Sequence, residues 1–140
     1  MSEMAAGVPG TIQWWHRIAL ERRADELKEI LAEDCVFESP VVHTPQRGRD
    51  IVEKYLRGAL EVLNTEHFRY GGEWYGENSA VLEFFSEVDG ITINGVDIIG
   101  WDAAGKITSF KVMVRPLKAI NTLHQKMGEY LVRVGAVKVK

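Results

Sequence analysis

The sequence predicts an α+β domain in which helices come first, a sheet follows and a last helix closes the chain. Two observations lead to this prediction. Apolar residues recur at helical spacing in the first half of the chain, whereas they alternate with polar residues through most of the second half. With 140 residues, 46% of them hydrophobic, the chain is long enough for one sizeable core. We therefore expect a single domain over residues 1–140, with a frayed N-terminus over residues 1–10.

The first elements are two helical segments separated by the charged stretch ERRADE. Each segment has an apolar stripe at the spacing of one helix face. The stripes consist of Ile12, Trp15 and Ala19 before the charged stretch and of Leu27, Ile30 and Leu31 after it. We expect a bend near Arg23 between them.

A short strand comes next, in the segment DCVFESP, and Pro40 ends it. Because side chains alternate between the two faces of a strand, Cys35, Phe37 and Ser39 should share one face. Glu38 should then point to the other face.

The third helix has the strongest signal of all the elements. Asp50 and Glu53 have the spacing of an N-terminal capping box. The apolar residues that follow keep helical spacing, and they are Val52, Tyr55, Leu56, Ala59, Leu60 and Leu63.

Four strands in an antiparallel meander account for most of the second half. The alternating segments lie near residues 67–75, 79–88, 91–101 and 106–115, and short turn segments, among them Asp89-Gly90 and DAAG, connect them. Pro116 suits the first turn of a closing helix. The apolar stripe of that helix consists of Leu117, Ile120, Leu123, Met127 and Leu131.

Composition excludes several classes of function. The net charge is −3 and no block of basic residues is present, so we expect no nucleic-acid partner. No apolar run approaches the roughly 18 residues of a membrane span, and the N-terminus does not resemble a signal peptide, so we expect a cytoplasmic protein without a membrane partner. The single Cys35 and the scattered histidines lack the spacing of a metal site, and no cofactor motif is present. We predict neither metal nor cofactor.

Asp97 stands out because it lies within an apolar strand. If Asp89-Gly90 is a two-residue turn, Leu82 lies opposite Asp97 on one side, and if DAAG is a four-residue loop, Phe110 lies opposite it on the other. Both neighbouring strands would then present apolar side chains to the carboxylate. Such a group gains hydrogen bonds, pairs with a cation or takes up a proton, so a raised pKa is a reasonable hypothesis.

A purely structural role for Asp97 is an equal alternative on this evidence. The carboxylate could pair across the sheet with Lys111 or Arg115, or it could point to water at an edge. Asn94-Gly95 could also form a turn or bulge and change the register. The residues alone leave both interpretations open.

The order of elements, together with the segments LAEDCVFESP and VDIIGWDAAGKI, resembles the SnoaL-like branch of the nuclear transport factor 2-like superfamily over about residues 12–120. The resemblance implies a cone-shaped α+β barrel in which a curved antiparallel sheet wraps around the N-terminal helices and a C-terminal helix completes the fold. It also implies a deep apolar pocket and a homodimer through the sheet face. The family includes isomerases, cyclases, dehydratases and non-catalytic binding domains, so the fold alone does not decide the function.

The resemblance also assigns positions to the catalytic pattern of ketosteroid isomerase. The general base of that pattern falls on Ser39, its oxyanion tyrosine falls near Trp15, and its protonated aspartic acid falls on Asp97. Ketosteroid isomerase activity is therefore unexpected. The epoxide-hydrolase pattern requires an arginine two residues before Asp97, where this chain has Gly95. A cyclase-like use of one acidic group in an apolar pocket is the closest remaining match.

Further residues complete the predicted site. His43, in the loop after the first strand, is a candidate second acid/base. The predicted ligand-binding residues are Trp15, Phe37, Ser39, Leu82, Phe84 and Phe110. Among these, the resemblance implies that Trp15 and Phe110 lie beside Asp97.

Two functional hypotheses follow from these residues and from the resemblance. The first is a cofactor-independent isomerase, cyclase or dehydratase that acts on a small hydrophobic carbonyl compound, with Asp97 as acid/base or oxyanion donor. The second is a non-catalytic binding or dimeric interaction module. For the dimer, Val96, Ile98 and Ile107 are expected to form an apolar outer sheet face.

Overall fold

The computed structural model describes residues 7–135, so most of the predicted frayed segment lies outside the described residues. The helices are α1 (Gly10–Leu20), α2 (Leu27–Ile30), α3 (Arg49–Leu63) and α4 (Leu117–Arg133), with a 3₁₀ turn at Ala24–Glu26. The strands are β1 (Leu31–Glu38), β2 (Gln46–Arg47), β3 (Arg69–Tyr75), β4 (Ser79–Val88), β5 (Ile91–Trp101) and β6 (Ile107–Arg115). No helix among residues 7–135 is long and apolar enough to cross a membrane.

The six strands form one sheet in the order β2-β1-β6-β5-β4-β3, and the α+β cone predicted from the sequence is confirmed. Two details of the prediction are wrong. The sheet is mixed, because β1 pairs in parallel with β6 while the other pairs are antiparallel. It is also open, because β2 and β3 lie at its two edges and do not pair with each other. β1 precedes α3 and the meander of β3 to β6, and it lies beside the last strand of that meander in the same direction.

The hairpin between β4 and β5 has the predicted register. Asp89 and Gly90 both have positive φ angles, of 52° and 77°, as a two-residue turn between antiparallel strands requires. Leu82 therefore lies opposite Asp97, as predicted.

A bulge changes the register between β5 and β6. Gly100 pairs with Ser109, whereas Trp101 pairs with Ile107, so that Thr108 is one extra residue on β6. The extra residue reverses the alternation of side chains along β6, because alternation has a period of two.

Two predictions are corrected in this region. Asp97 lies opposite Val112 rather than Phe110, because Trp101 pairs with Ile107 instead of Lys106 and the bulge then adds a second residue to the shift. Ile107 is fully buried in the core and does not belong to the outer sheet face.

The helix boundaries differ from the predictions at three places. α3 begins after Gly48, whose φ is 102°, and no side chain caps it, so the predicted Asp50–Glu53 capping box is wrong. Leu31 starts β1 instead of ending a helix. Leu117 is 70% exposed and does not belong to the buried stripe of α4. The predicted bend near Arg23 is confirmed, since the chain leaves α1 there and turns through the 3₁₀ segment.

Candidate functional site

An apolar cavity of about 50 Å³ lies between the inner face of the sheet and helices α1, α3 and α4. Carbon atoms dominate its wall, and polar groups enter it mainly from the sheet and from the first turn after β1. The lining residues are Trp15, Phe37, Ser39, Pro40, Val41, Leu56, Ala59, Leu60, Leu63, Asn64, Phe68, Tyr70, Phe84, Asp97, Phe110, Val112, Leu123 and Met127. The cavity is thus a hydrophobic chamber that contains one acidic side chain.

A chain of hydrogen bonds ends on that acidic group. The indole N–H of Trp15, on α1, donates to the hydroxyl oxygen of Tyr70, on β3, at 2.8 Å. The Tyr70 hydroxyl in turn donates to Oδ2 of Asp97, on β5, at 2.8 Å. Three elements therefore position one carboxyl oxygen.

The second carboxyl oxygen of Asp97 is open to the cavity. Oδ1 makes no hydrogen bond with residues 7–135, yet no side-chain oxygen among these residues is both fully buried and unpartnered. Because Asp97 lines the cavity, Oδ1 is the oxygen that a ligand can reach. Asp97 thus has one anchored oxygen and one free oxygen.

Burial raises the pKa of Asp97 to about 7, although the Tyr70 hydrogen bond acts in the opposite direction. No cation pairs with this carboxylate among the described residues. Near neutral pH the group therefore exists in both protonation states. It can donate or accept a proton at Oδ1 without a large energetic penalty in either direction.

Tyr70 is a central polar group of the site that the sequence pattern does not predict. Burial first, and then the negative charge of Asp97, raise the pKa of Tyr70 well above its ordinary value. Its proton is therefore retained, and it is directed to Asp97. Gly71 and Gly72 follow Tyr70 and interrupt the alternating pattern of β3, so the pattern does not indicate that Tyr70 faces inward.

Ser39 faces the cavity from the end of β1, as the alternation predicted. Its Oγ accepts a hydrogen bond from the backbone N–H of Val41 at 3.1 Å, which leaves the hydroxyl proton free to donate elsewhere. Glu38 pairs with Lys111, so Ser39 follows beside Val112, the residue that faces Asp97. Ser39 and Asp97 thus lie on either side of Val112.

The aromatic wall is also assembled as predicted. Trp15 and Phe110 meet edge to face with their ring centroids 4.9 Å apart, and Phe37 lies against Phe110 at 6.1 Å. Phe84 completes the wall and stacks with Phe68. These rings give a ligand apolar surfaces but no charge.

Two predicted site residues do not line this cavity. His43 is exposed and lies on a shallow groove outside it, together with Glu38 and Lys111. Leu82 is fully buried beside Asp97 in the core. The structure therefore does not bring His43 together with Asp97.

The sequence profile of the SnoaL-like domain matches residues 12–110, and the chain belongs to this family. No curated protein matches the chain significantly in sequence. The family explains the cone-like fold and the central cavity, and the prediction of this resemblance is confirmed.

Several solved structures are similar to this chain. One, described as a steroid delta-isomerase from Pseudomonas aeruginosa, is 32% identical, with 98% of this chain and 100% of that chain covered and a TM-score of 0.86. Another, an uncharacterised protein with a cystatin-like fold from Silicibacter pomeroyi, is 27% identical over 94% of this chain and 92% of that chain, with a TM-score of 0.86. The epoxide hydrolase/cyclase-like enzyme SalBIII, which has a role in forming the pyran ring of salinomycin, shares the fold at 21% identity, with 76% of this chain and 89% of that chain covered and a TM-score of 0.63. The chain is thus similar in sequence and fold to a protein described as a steroid delta-isomerase, and it shares the fold alone with a cyclase-like enzyme.

Proposed function

We propose that this protein binds a small hydrophobic carbonyl compound and transfers a proton on it, with Asp97 as the acid/base group. The observation that supports this function best is the Asp97 carboxyl group itself. One of its oxygens is held by Tyr70, and the other is open in an apolar cavity. A carboxyl group with a pKa of about 7 suits proton transfer in both directions near neutral pH.

The proposed step needs no cofactor. Oδ1 of ionised Asp97 removes a proton from the carbon next to the carbonyl group, and the C–H electron pair forms the carbon–carbon double bond of an enolate. The protonated Asp97 then returns the proton to the same carbon or to a conjugated one, so the second case is an isomerisation. The Ser39 hydroxyl, whose proton is free, donates to the enolate oxygen from the other side of Val112.

Cavity size limits the ligand. A volume of about 50 Å³ is well below the roughly 300–1,000 Å³ of pockets that hold drug-sized molecules. A compact cyclic ketone therefore suits the cavity better than a steroid, unless side chains such as the flexible Met127 move. The steroid-isomerase relative supports the reaction class, and the small volume favours a smaller substrate.

Deuterium exchange tests this proposal directly. Each probe, which would be cyclohexanone, tetralone or a β,γ-unsaturated steroid ketone, is incubated with the protein in deuterium oxide, and loss of its α-proton signal is followed by NMR. We expect the wild type to accelerate exchange of at least one small ketone by about 10²–10⁴-fold, as a well-placed general base does. Asp97→Asn should abolish this acceleration, because an amide cannot accept the proton.

The matched control is Asp34→Asn, the same chemical change at an exposed carboxylate of β1. It should exchange protons at the wild-type rate. Equal rates for the wild type and Asp97→Asn would remove Asp97 from the mechanism, and no acceleration with any probe would count against the enzymatic function.

A non-catalytic binding function is the second candidate. Asp97 and Tyr70 are the only titratable side chains among the cavity-lining residues of the described chain. The resemblance to ketosteroid isomerase assigns the position of the general base to Ser39, which is not a base. A single acid in an apolar chamber also suits recognition of one polar atom on a hydrophobic ligand. A thermal shift with a ketone that does not undergo exchange would favour this candidate.

We also propose that the protein forms a homodimer through the outer face of the sheet. Trp74 and Met113 are 60% and 52% exposed on this face. Val96 and Ile98, which are half-buried, lie between them on β5. Such an apolar face suits a self-complementary contact between two copies. A monomeric mass by light scattering at micromolar concentration would reject the dimer.

The cytoplasmic location also remains a prediction from the sequence.

A further inference from the structure

A bulge in β3 gives this edge strand an unusual arrangement of side chains. Tyr70 pairs with Phe84 and Glu73 pairs with Leu82, so three steps along β3 correspond to two along β4. Residues three apart on a regular strand face opposite sides, but the extra residue places Tyr70 and Glu73 on the same face. That face is the inner one, because Phe84 and Leu82 are both buried in the core.

The two residues between them are Gly71 and Gly72, and little space is available there. A Cβ atom on Gly71 would lie 2.8 Å from the Phe85 ring, and one on Gly72 would lie 2.7 Å from the Trp74 ring. Side chains at these positions would push against outer-face aromatic rings. Glycine has no Cβ atom, so the residues at both positions are compatible with the bulge.

Helix α1 contacts both of these inward residues with two consecutive side chains. Trp15 donates to Tyr70, and the next residue, His16, forms a hydrogen bond from Nε2 to Oε2 of Glu73 at 2.6 Å. The side chains of His16 and Glu73 are only 10% and 13% exposed, so water competes little for this bond. Tyr75 donates to the other oxygen of Glu73, also at 2.6 Å.

Two hydrogen bonds connect β3 to α1. Within residues 7–135 it lies at the edge of the sheet and has β4 as its one neighbouring strand. Among the described residues, the side-chain hydrogen bonds between α1 and β3 are the one from Trp15 to Tyr70 and the one between His16 and Glu73. If the His16 bond is lost, the Trp15–Tyr70 bond is the one side-chain hydrogen bond left between α1 and β3 among the described residues.

We propose that the His16–Glu73 hydrogen bond holds β3 against α1 and thereby keeps the Tyr70 hydroxyl on Asp97, so that His16 and Glu73 are positioning residues for the candidate site. Neither residue lines the cavity, so neither touches a ligand there. The titratable groups that surround this arrangement are Tyr70 beside Asp97 and Tyr75 beside Glu73. An effect of these two residues on catalysis rests on the proposed function, whereas their effect on the position of Tyr70 does not.

The pKa of Asp97 provides a readout that needs no substrate. It can be measured by NMR on protein with carboxyl-labelled aspartate, in which the Asp97→Asn variant identifies the signal. Glu73→Ala removes the partner of His16, so the Tyr70 hydrogen bond should weaken and the pKa of Asp97 should rise by about one pH unit. Tyr70→Phe, which removes the bond entirely, should raise the pKa by at least as much.

The sign of the change separates positioning from simple electrostatics. Loss of the Glu73 charge, by itself, would favour ionised Asp97 and lower its pKa. Glu73→Gln loses the charge but keeps an oxygen that accepts from His16, so the pKa of Asp97 should stay within a few tenths of a pH unit of the wild type or fall slightly.

His16→Ala is the reciprocal variant, and it leaves the Glu73 charge in place. It should raise the pKa of Asp97 as Glu73→Ala does. An unchanged or lowered pKa in both alanine variants, with a raised pKa in Tyr70→Phe, would overturn the proposal. Failure of the proposed function would be visible separately, as absence of deuterium exchange in the wild type.

Discussion

Two buried carboxyl groups in this protein have nearly the same exposure and very different surroundings. Asp97 is 6% exposed, and Glu53 is 8% exposed. Glu53, on α3, accepts a hydrogen bond from Arg57 at 3.2 Å and lies 3.9 Å from the Lys28 ammonium group. Within the described part of the chain, the Asp97 side chain has one hydrogen-bond partner, the neutral Tyr70 hydroxyl.

The comparison teaches that burial alone does not identify a functional acid. A carboxylate with cationic partners is stabilised in its ionised form and connects elements of the fold. A buried carboxyl group with a neutral donor and a free oxygen has both protonation states available near neutral pH and can exchange a proton with a ligand. The free oxygen and the absence of a cation among the described residues, rather than depth in the core, distinguish Asp97.

The largest expected effect in this comparison is the contribution of Asp97 to the pH dependence of the free energy of unfolding. Its pKa is about 7 in the folded protein, whereas an aspartate in the unfolded chain titrates near 3.9. The folded state therefore binds the proton more tightly, and the free energy of unfolding falls as the pH rises from about 4 to 7. Asp97→Asn has no such titration, so above pH 7 it should be more stable than the wild type by up to about 4 kcal/mol.

Urea unfolding at pH values between 4 and 8.5 measures this effect. The advantage of Asp97→Asn should vanish near pH 4, and Asp34→Asn should follow the wild-type curve throughout. Parallel curves for the wild type and Asp97→Asn would mean that Asp97 titrates alike in the folded and unfolded states.

Glu53→Gln should change the free energy of unfolding in the opposite direction and by a smaller amount. The amide removes the charge that pairs with Arg57, although Arg57 keeps Asp25 at 3.0 Å. Because the Glu53 side chain is mostly buried and the Arg57 side chain is one-third exposed, we expect a loss of about 2 kcal/mol at pH 7. Urea unfolding with Glu61→Gln, the same change at an exposed position, is the control. A stabilised Glu53→Gln protein would contradict the difference between the two acids.

The sequence contains enough information for the central hairpin and for the face that Asp97 occupies. The Asp89-Gly90 turn fixes the register of β4 and β5, and alternation then directs Asp97 and Phe84 inward. Ser39 was found in the same way. These predictions succeed because two-residue turns and strand alternation are local rules.

The same rules fail where the strands contain bulges. The extra residue in β6 reversed the expected direction of Ile107, and the extra residue in β3 concealed Tyr70 and Glu73. A bulge depends on how two strands and the packed helix fit together, so a pattern along one strand does not reveal it. The partner of Asp97, and hence the evidence that its second oxygen is free, could not be predicted from spacing.

Tyr70→Phe should produce the smallest change in stability of the three variants, and it tests whether the neutral partner tunes Asp97. The phenylalanine ring keeps the packing but leaves the Trp15 N–H without its acceptor, so we expect a loss of about 1 to 2 kcal/mol in urea unfolding at pH 5, where Asp97 is mostly protonated. Without the Tyr70 donor the pKa of Asp97 rises further, because that bond lowers it. The fall in stability with pH should therefore extend to higher pH than in the wild type. Tyr75→Phe, which removes an exposed hydroxyl on the same strand, is the matched control and should keep the wild-type midpoint for Asp97. An unchanged midpoint in Tyr70→Phe would show that burial alone sets the acidity of Asp97, and the distinction between the two acids would then rest on the cations around Glu53.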